Sequence, residues 1–247
     1  MQAEIQYKDK KYTIDLSRPL DISIPISGDE NLTAWQMGQP EISPVVIGDF
    51  IGRVSAGSSV NFNNIFFNPH AHGTHTECIG HITKEFHSVN QSFDKYFFYS
   101  QLISVVPEEK DGDLIITKAQ VADLLLDDVE AVIIRTLPNM QEKKSKQYSG
   151  TNPIYMEATC AEMLRDKGVK HLLVDIPSVD KEDDRGALAA HKAFWDFDGN
   201  QRLDATITEF IYVADEITDG NYFLNLQIAA FENDASPSRP VLYGVSG

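Results

Sequence analysis

Two short apolar runs constrain the fold of this chain more than anything else in it. Residues 131–135 read Ala-Val-Ile-Ile-Arg, and residues 171–176 read His-Leu-Leu-Val-Asp-Ile. Neither alternates between apolar and polar, so each predicts a strand buried on both faces, which needs cover above and below. Helix signals precede both. Thr117 stands as an N-cap before Val121, Leu124 and Leu125. Asn152-Pro153 opens a second helix, with the proline at the first helical position, where its missing N–H is not needed. That helix is expected to end at the charged turn Arg165-Asp166-Lys167, with Gly168 as its stop. A third helix-like segment, 185–197, carries His191. Helices and buried strands in this succession predict a mixed α/β fold.

The ends are richer in strands. Apolar residues alternate from 12 to 26 across a break at Arg18-Pro19, and 51–68 reads as a hairpin turning near Ala56-Gly57-Ser58-Ser59. Further strands are expected at 101–107, at 205–213 with Glu209 inside it, at 221–231 and at 240–245. Residues 28–44 and 141–150 read as loops. The lysines of the second suit a solvated face, while Trp35 in the first is either a core plug or a lid over a pocket. No repeat, low-complexity tract or linker divides the chain. One domain over residues 1–247 is expected, large enough to bury roughly three quarters of its unfolded surface.

Charge narrows the class of partner. With 21 basic against 37 acidic residues the net charge is −16, and no basic run appears, which argues against nucleic acid. No stretch approaches the ~18 consecutive apolar residues of a membrane span, and the first residues lack the charged-then-apolar pattern of a signal peptide. Cys78 and Cys160 form no CxxC pair, which fits a reducing compartment. The expectation is a cytoplasmic protein with neither a nucleic-acid nor a membrane partner.

Chemistry concentrates in residues 68–87. By composition, twelve positions should hold roughly a third of a histidine; residues 70–81 hold His70, His72, His75 and His81, with Glu77 among them. Neutral imidazoles beside a carboxylate are what a divalent transition metal requires. The spacing His70-Ala-His72, four residues, Glu77 also resembles the first cupin motif, but the flanking glycines and the downstream partner motif of a cupin are absent. Gly73-Thr74-His75-Thr76-Glu77, with His70 before and His81 after, more closely resembles the signature His-x-Gly-Thr-His-x-Asp-x-Pro-x-His of the putative cyclase family, which includes kynurenine formamidases and isatin hydrolases. Collinear stretches extend the resemblance: Asp15-Leu16-Ser17, Val174-Asp175-Ile176-Pro177-Ser178-Val179-Asp180, His191, Glu209, and Asp234-Ala-Ser236-Pro237-Ser-Arg239-Pro240.

The resemblance implies a compact swivelling β/β/α domain, a homodimer, and a pocket at the subunit contact that Trp35, Phe66, Phe67 or Tyr155 could line. It implies a metal-dependent hydrolase cleaving a non-peptide carbon–nitrogen bond of a small amide, either arylformamidase-like or cyclic, through a metal-activated hydroxide, with Zn or Mn as one or two ions. A non-catalytic metal-binding relative is the alternative. Carried over residue by residue, His70, His75 and Glu77 bind metal, His191 and Glu209 complete a second position with Glu77 bridging, and His81 shuttles protons as the catalytic acid–base. Asp175 and Asp180 either orient ligands or cap structure. Three departures bear on this. An extra residue before Gly73 leaves His70 or His72 as the first ligand, Glu77 is a methylene longer than the family's Asp, and Ile79 replaces its Pro.

Overall fold

The computed structural model describes residues 1–246. The two apolar runs become neighbouring central strands of one large sheet. Its eleven strands are, in chain order, β1 (Gln2–Tyr7), β2 (Lys10–Asp15), β3 (Leu20–Asp21), β4 (His75–Glu77), β5 (Phe97–Val105), β6 (Ala131–Thr136), β7 (His171–Val174), β8 (Thr206–Glu209), β9 (Gly220–Asn225), β10 (Ala235–Pro237) and β11 (Val241–Ser246). They lie in the order β1-β2-β11-β9-β5-β6-β7-β8-β4-β10, with β3 beside β11. Only β5-β6, β6-β7 and β7-β8 pair in parallel among these; their neighbours pair antiparallel. Parallel pairing requires a crossover, and each of the three crossovers carries a helix. α2 (Lys118–Ala122) joins β5 to β6, α3 (Ala158–Asp166) joins β6 to β7, and α4 (Ala189–Trp195) joins β7 to β8. A one-turn helix, α1 (Pro69–His72), leads into β4.

Both faces of the central strands are covered, as their unbroken hydrophobicity requires. Val132 and Ile134 of β6 share a core with Cys160 and Leu164 of α3 and with Phe194 and Trp195 of α4. Ala131 and Ile133 face the other way, onto Ile22, Leu102, Leu173, Ile211 and Leu224. Burying Phe194 and Trp195 completely contributes roughly 1.5–3 kcal/mol or more each, so α4 is fixed firmly against the sheet. That matters because α4 carries His191.

Several local expectations hold and several do not. Thr117 caps α2, and its hydroxyl and the Gln120 side chain form a reciprocal capping box. Gly168 follows α3 with φ at 82°, the left-handed conformation that ends a helix. The helix expected to open at Asn152-Pro153 instead begins at Ala158. Tyr155 and Met156 are drawn into a small parallel ladder with Ile115 and Ile116, so the preceding chain must stay extended. Residues 51–68 do not form one hairpin. Asn63–Phe66 pairs with Glu41–Pro44, and Val46–Ile47 with Phe50–Ile51, making a projecting arm. The strand expected over 221–231 stops at Asn225, because its neighbour β5 begins at Phe97, directly opposite. The lysines of 141–150 are not all solvated: Lys143 turns inward to buried Asp175, 2.7 Å away.

Candidate metal centre

The site assembles at the carboxyl ends of the parallel strands, the usual place for ligands in open α/β sheets. β4 lies antiparallel beside β8, with His75 opposite Glu209 and Glu77 opposite Ile207. Because side chains alternate along strands, His75, Glu77 and Glu209 fall on one face and Thr76 and Thr208 bond to each other on the opposite one, 2.8 Å apart. His70 comes from α1, whose N-cap Asn68 accepts from the His70 N–H and whose first residue is Pro69. Gly73 separates α1 from β4. A Cβ there would lie 2.8 Å from the Ile26 side chain and 3.1 Å from the Ile24 carbonyl, so only glycine allows this approach. Thr74 is more than a turn residue: its hydroxyl accepts from Ile24 N and donates to the Phe210 carbonyl.

Four imidazoles surround two carboxylates, and each ring is held by its outward nitrogen. His75 Nδ1 donates to Gly73 O at 3.0 Å. His191 Nδ1 donates to Asp180 at 2.6 Å. His70 Nε2 and His81 Nδ1 both donate to one oxygen of Asp234, at 3.0 and 3.2 Å. The inward nitrogens meet the carboxylates. His70 Nδ1 lies 3.1 Å and His81 Nε2 3.8 Å from Glu77 Oε2, His191 Nε2 lies 3.0 Å from Glu77 Oε1, and His75 Nε2 lies 3.5 Å from Glu209 Oε2. Glu209 also accepts from the Val179 N–H. Asp180 both orients His191 and accepts from the Ala190 and His191 backbone at the start of α4. It therefore serves as orienter and as cap.

Among the described residues two buried atoms in this box make no well-formed hydrogen bond: His75 Nε2, and Glu77 Oε2, which has only the ion-pair approach of His70 Nδ1 at 3.1 Å. Leaving a buried acceptor unpaired costs about 1–3 kcal/mol, and both have a lone pair aimed into the box. A divalent cation is the partner that suits an imidazole nitrogen and a carboxylate oxygen together. His75, Glu77 and Glu209 can each bring one ligand atom within 4.8 Å of the others, and so can His70, Glu77 and His81. Glu77 belongs to both groups, which suits a bridging carboxylate. This grouping differs from the expected partition: His81 sits with His70 and Glu77, and His191 lies outside both sets while touching Glu77. His72 stands apart. It is buried, its Nδ1 accepting from Asn68 N and its Nε2 donating to Gly38 O, so both nitrogens are used structurally.

The electrostatics match a cation-seeking site. Burial would push Glu77 toward neutrality, but His81, His191 and His70 hold it well below the usual carboxylate range. Burial likewise opposes charge on His70 and His191. Asp234 and Glu77 nevertheless lift His70 to about 10, and Asp180 and Glu77 lift His191 to about 10. Glu77 thus stays ionised, with protons on His70 and His191 balancing a charge that a metal ion would offset in their place.

A cavity of about 310 Å³ opens above the box, reaching His70, His81, His191 and Glu209 and walled by Trp35. Trp35 donates its indole N–H to His70 O, which fixes it as a pocket wall. Phe66, Phe67 and Tyr155, the other aromatics expected there, line separate concavities, because the arm carries the first two outward and the small sheet holds the third. No local signal in the sequence singles out Asp234. It stands at the start of the quoted Asp-Ala-Ser-Pro stretch, but its position depends on β10 pairing with β4, a register that no local pattern encodes.

Comparison with known proteins agrees with the geometry. A family model described as Putative cyclase matches residues 14–181. The chain is 27% identical over 228 residues to a kynurenine formamidase of Bacillus mycoides (strain KBAB4), covering 92% of this chain and 97% of that protein. A solved structure described as a potential metal-dependent hydrolase with cyclase activity shares the fold with a TM-score of 0.67 at 17% identity, over 92% of this chain and 97% of the other. An isatin hydrolase bound to the product analogue thioisatinate also gives 0.67, at 14% identity and over 93% of each chain. The matched stretch runs from β2 through the whole histidine segment to Lys181, the residue after Asp180, and the chain belongs to the putative cyclase family.

Proposed function

We propose that this chain is a metal-dependent hydrolase that cleaves the carbon–nitrogen bond of a small aromatic amide, in the manner of an arylformamidase. The observation that carries the reading is the pair of buried atoms without a well-formed hydrogen bond, His75 Nε2 and Glu77 Oε2, beneath a pocket with an aromatic wall. Similarity along nearly the full length of a kynurenine formamidase supports the substrate class. His70, His75, Glu77, His191 and Glu209 hold one or two ions, zinc or manganese, within a single hydrolase domain spanning residues 1–247. When bound, the ion acts as a Lewis acid and lowers the pKa of a coordinated water from about 15.7 toward about 7.

The protein's own groups do the rest. Trp35 offers its face to the aromatic ring of the substrate and keeps bulk water from one side of the cleft. His81 is the most exposed of the four rings, with its side chain 31% accessible, and stands where a bound amide would pass. With Nδ1 tied to Asp234, its Nε2 is free to take a proton from the attacking water and return it to the leaving nitrogen. The reading extends to a cytoplasmic homodimer. The unpaired buried thiols Cys78 and Cys160 support the compartment. The exposed Val46, Ile47, Ile65 and Phe66 of the projecting arm support self-association.

A panel of formanilides, isatin-like lactams and small aliphatic amides, assayed with metal content measured in parallel, tests this. We expect bound Zn or Mn, turnover of an aryl amide, and a loss of about 10²–10⁴-fold in kcat for His81→Ala with metal retained. If His81→Ala instead empties the site, His81 is a ligand, as its grouping with His70 and Glu77 would allow. Bound metal with no turnover of any amide would make the chain a non-catalytic relative, and absence of metal would refute the site.

A further inference from the structure

We infer that the pocket above the histidine box selects by charge: it admits an aryl group that is neutral or cationic and excludes one bearing a carboxylate. The inference rests on the amide-hydrolase reading for the identity of the pocket, and it adds what the substrate's far end must be. The apolar part of the wall is Trp35, Met37 and Leu188, a surface suited to one aromatic ring. The polar part carries imidazoles at its floor and acids at its rim. Glu182 and Asp184 both line the cavity, and both carboxylates are anchored by backbone N–H groups: Glu182 accepts from Gly150, Asp184 from Gly186 and Leu188. These bonds hold the groups in place without neutralising them.

Of the cations in the lining, His70 and His191 are paired with Glu77, Asp234 and Asp180, and the basic residue at the rim does not offset its charge either. Lys181 lines the same cavity, but its ammonium lies 2.6 Å from Asp113, which is absent from the cavity lining. The acids of the floor differ from those of the rim. Glu77, Asp180 and Asp234 are each engaged by imidazoles, and Glu77 and Glu209 are positioned to share a metal ion. Glu182 and Asp184 have no such partner among the described residues and present net negative charge at the mouth. Independently, Glu209 of the cavity floor lies 3.5 Å from the buried, unpartnered His75 Nε2, which marks this as the end where a ligand is bound. A ligand entering with a cation on its ring gains from both acids and from the face of Trp35. A carboxylate meets like charges in a partly desolvated cleft of a protein already at −16.

Binding can be read without turnover, so this inference can fail separately from the proposed function. Three anilines of similar shape serve as probes for the metal-loaded protein: 4-tert-butylaniline, 4-(trimethylammonio)aniline and 4-aminobenzoate. Dissociation constants come from calorimetry and from quenching of Trp35, the other tryptophan, Trp195, being wholly buried. We expect the cation to bind at least as tightly as its neutral isostere and the carboxylate about tenfold more weakly. In Glu182→Gln/Asp184→Asn, which keeps the acceptor for Gly150 and one of the two that Asp184 offers to Gly186 and Leu188, the cation-to-carboxylate ratio should fall at least fivefold. Raising the salt of the unaltered protein to about 1 M, where the Debye length is about 3 Å, should also compress the ratio. Equal or tighter binding of the carboxylate, a ratio unmoved by the substitutions and by salt, or no binding of any of the three overturns the inference. The expected ordering, found in a protein that hydrolyses no formanilide, would uphold it and refute the hydrolase reading instead.

Discussion

Asp234 makes the sharpest demand on the architecture proposed here, because one of its oxygens serves two rings. His70 Nε2 and His81 Nδ1 reach Oδ2 at 3.0 and 3.2 Å, and the two rings stack with centroids 4.3 Å apart. Removing the carboxylate in Asp234→Ala frees both rings to rotate and removes the acceptor that fixes the outward N–H of each. Charge-assisted hydrogen bonds contribute about 1.5–3 kcal/mol each at best. The Asp234 side chain is 26% exposed, so water takes over part of the lost bonding. Loss of such an orienting carboxylate typically weakens metal binding or activity by about 10–100-fold, or roughly 1.4–2.7 kcal/mol, which is consistent with two bonds partly replaced by water. Competition against a chromophoric chelator gives the metal dissociation constant directly. Asp234→Asn keeps one acceptor but not the charge and should fall between wild type and Ala. A dissociation constant within twofold of wild type in Asp234→Ala, with kcat/KM for the best amide also unchanged, would refute the idea that this carboxylate orients the rings.

Two further perturbations test the scaffold. His171 is buried against Phe93 and Phe98 with Nδ1 near the Thr206 hydroxyl, and burial lowers its pKa from 6.5 to about 3. Above pH 6.5 both folded and unfolded chains carry it neutral and it adds no pH dependence. As pH falls from 6.5 toward 3 only the unfolded chain takes the proton, so stability drops by up to about 1.4 kcal/mol per pH unit. Urea denaturation of wild type and His171→Gln across pH 7 to 4.5 should show a shallower acid slope in the variant; equal slopes would contradict the assignment. The Lys143–Asp175 pair is a second target, since Asp175 is wholly buried and its carboxyl is pushed up by burial against the opposing pull of Lys143. Lys143→Met should cost about 3–5 kcal/mol by stranding that carboxylate, and Asp175→Asn in the same background should recover part of the loss. A single-variant cost below ~1 kcal/mol would mean that the pair is not sustaining the fold.

What the sequence discloses and what it hides divide along a physical line. Residues 131–135 and 171–176 announce themselves because a strand buried on both faces has no polar side to show, and the capping box at Thr117 and Gln120 is a local bond pattern written in four residues. Where a partner strand decides, local signals fail. Tyr155 and Met156 leave the helix to pair with Ile115 and Ile116, and β9 stops at Asn225 where β5 begins. The site divides in the same way. The four rings and Glu77 are visible as composition, and His191 and Glu209 as collinear resemblance. The fact that His72 spends both nitrogens on Asn68 and Gly38 while His70 turns inward depends on a loop 34 residues upstream of His72. The same holds for Asp234, which enters only because β10 lies against β4. The residues that would touch a metal are therefore legible before the fold is known, whereas those that aim them are not, because aiming is done by carboxylates and carbonyls brought from distant strands. It follows that a relative could keep every histidine of the motif and still lose the centre through a change at Asp180 or Asp234, each of which fixes a ring by the nitrogen facing away from the box.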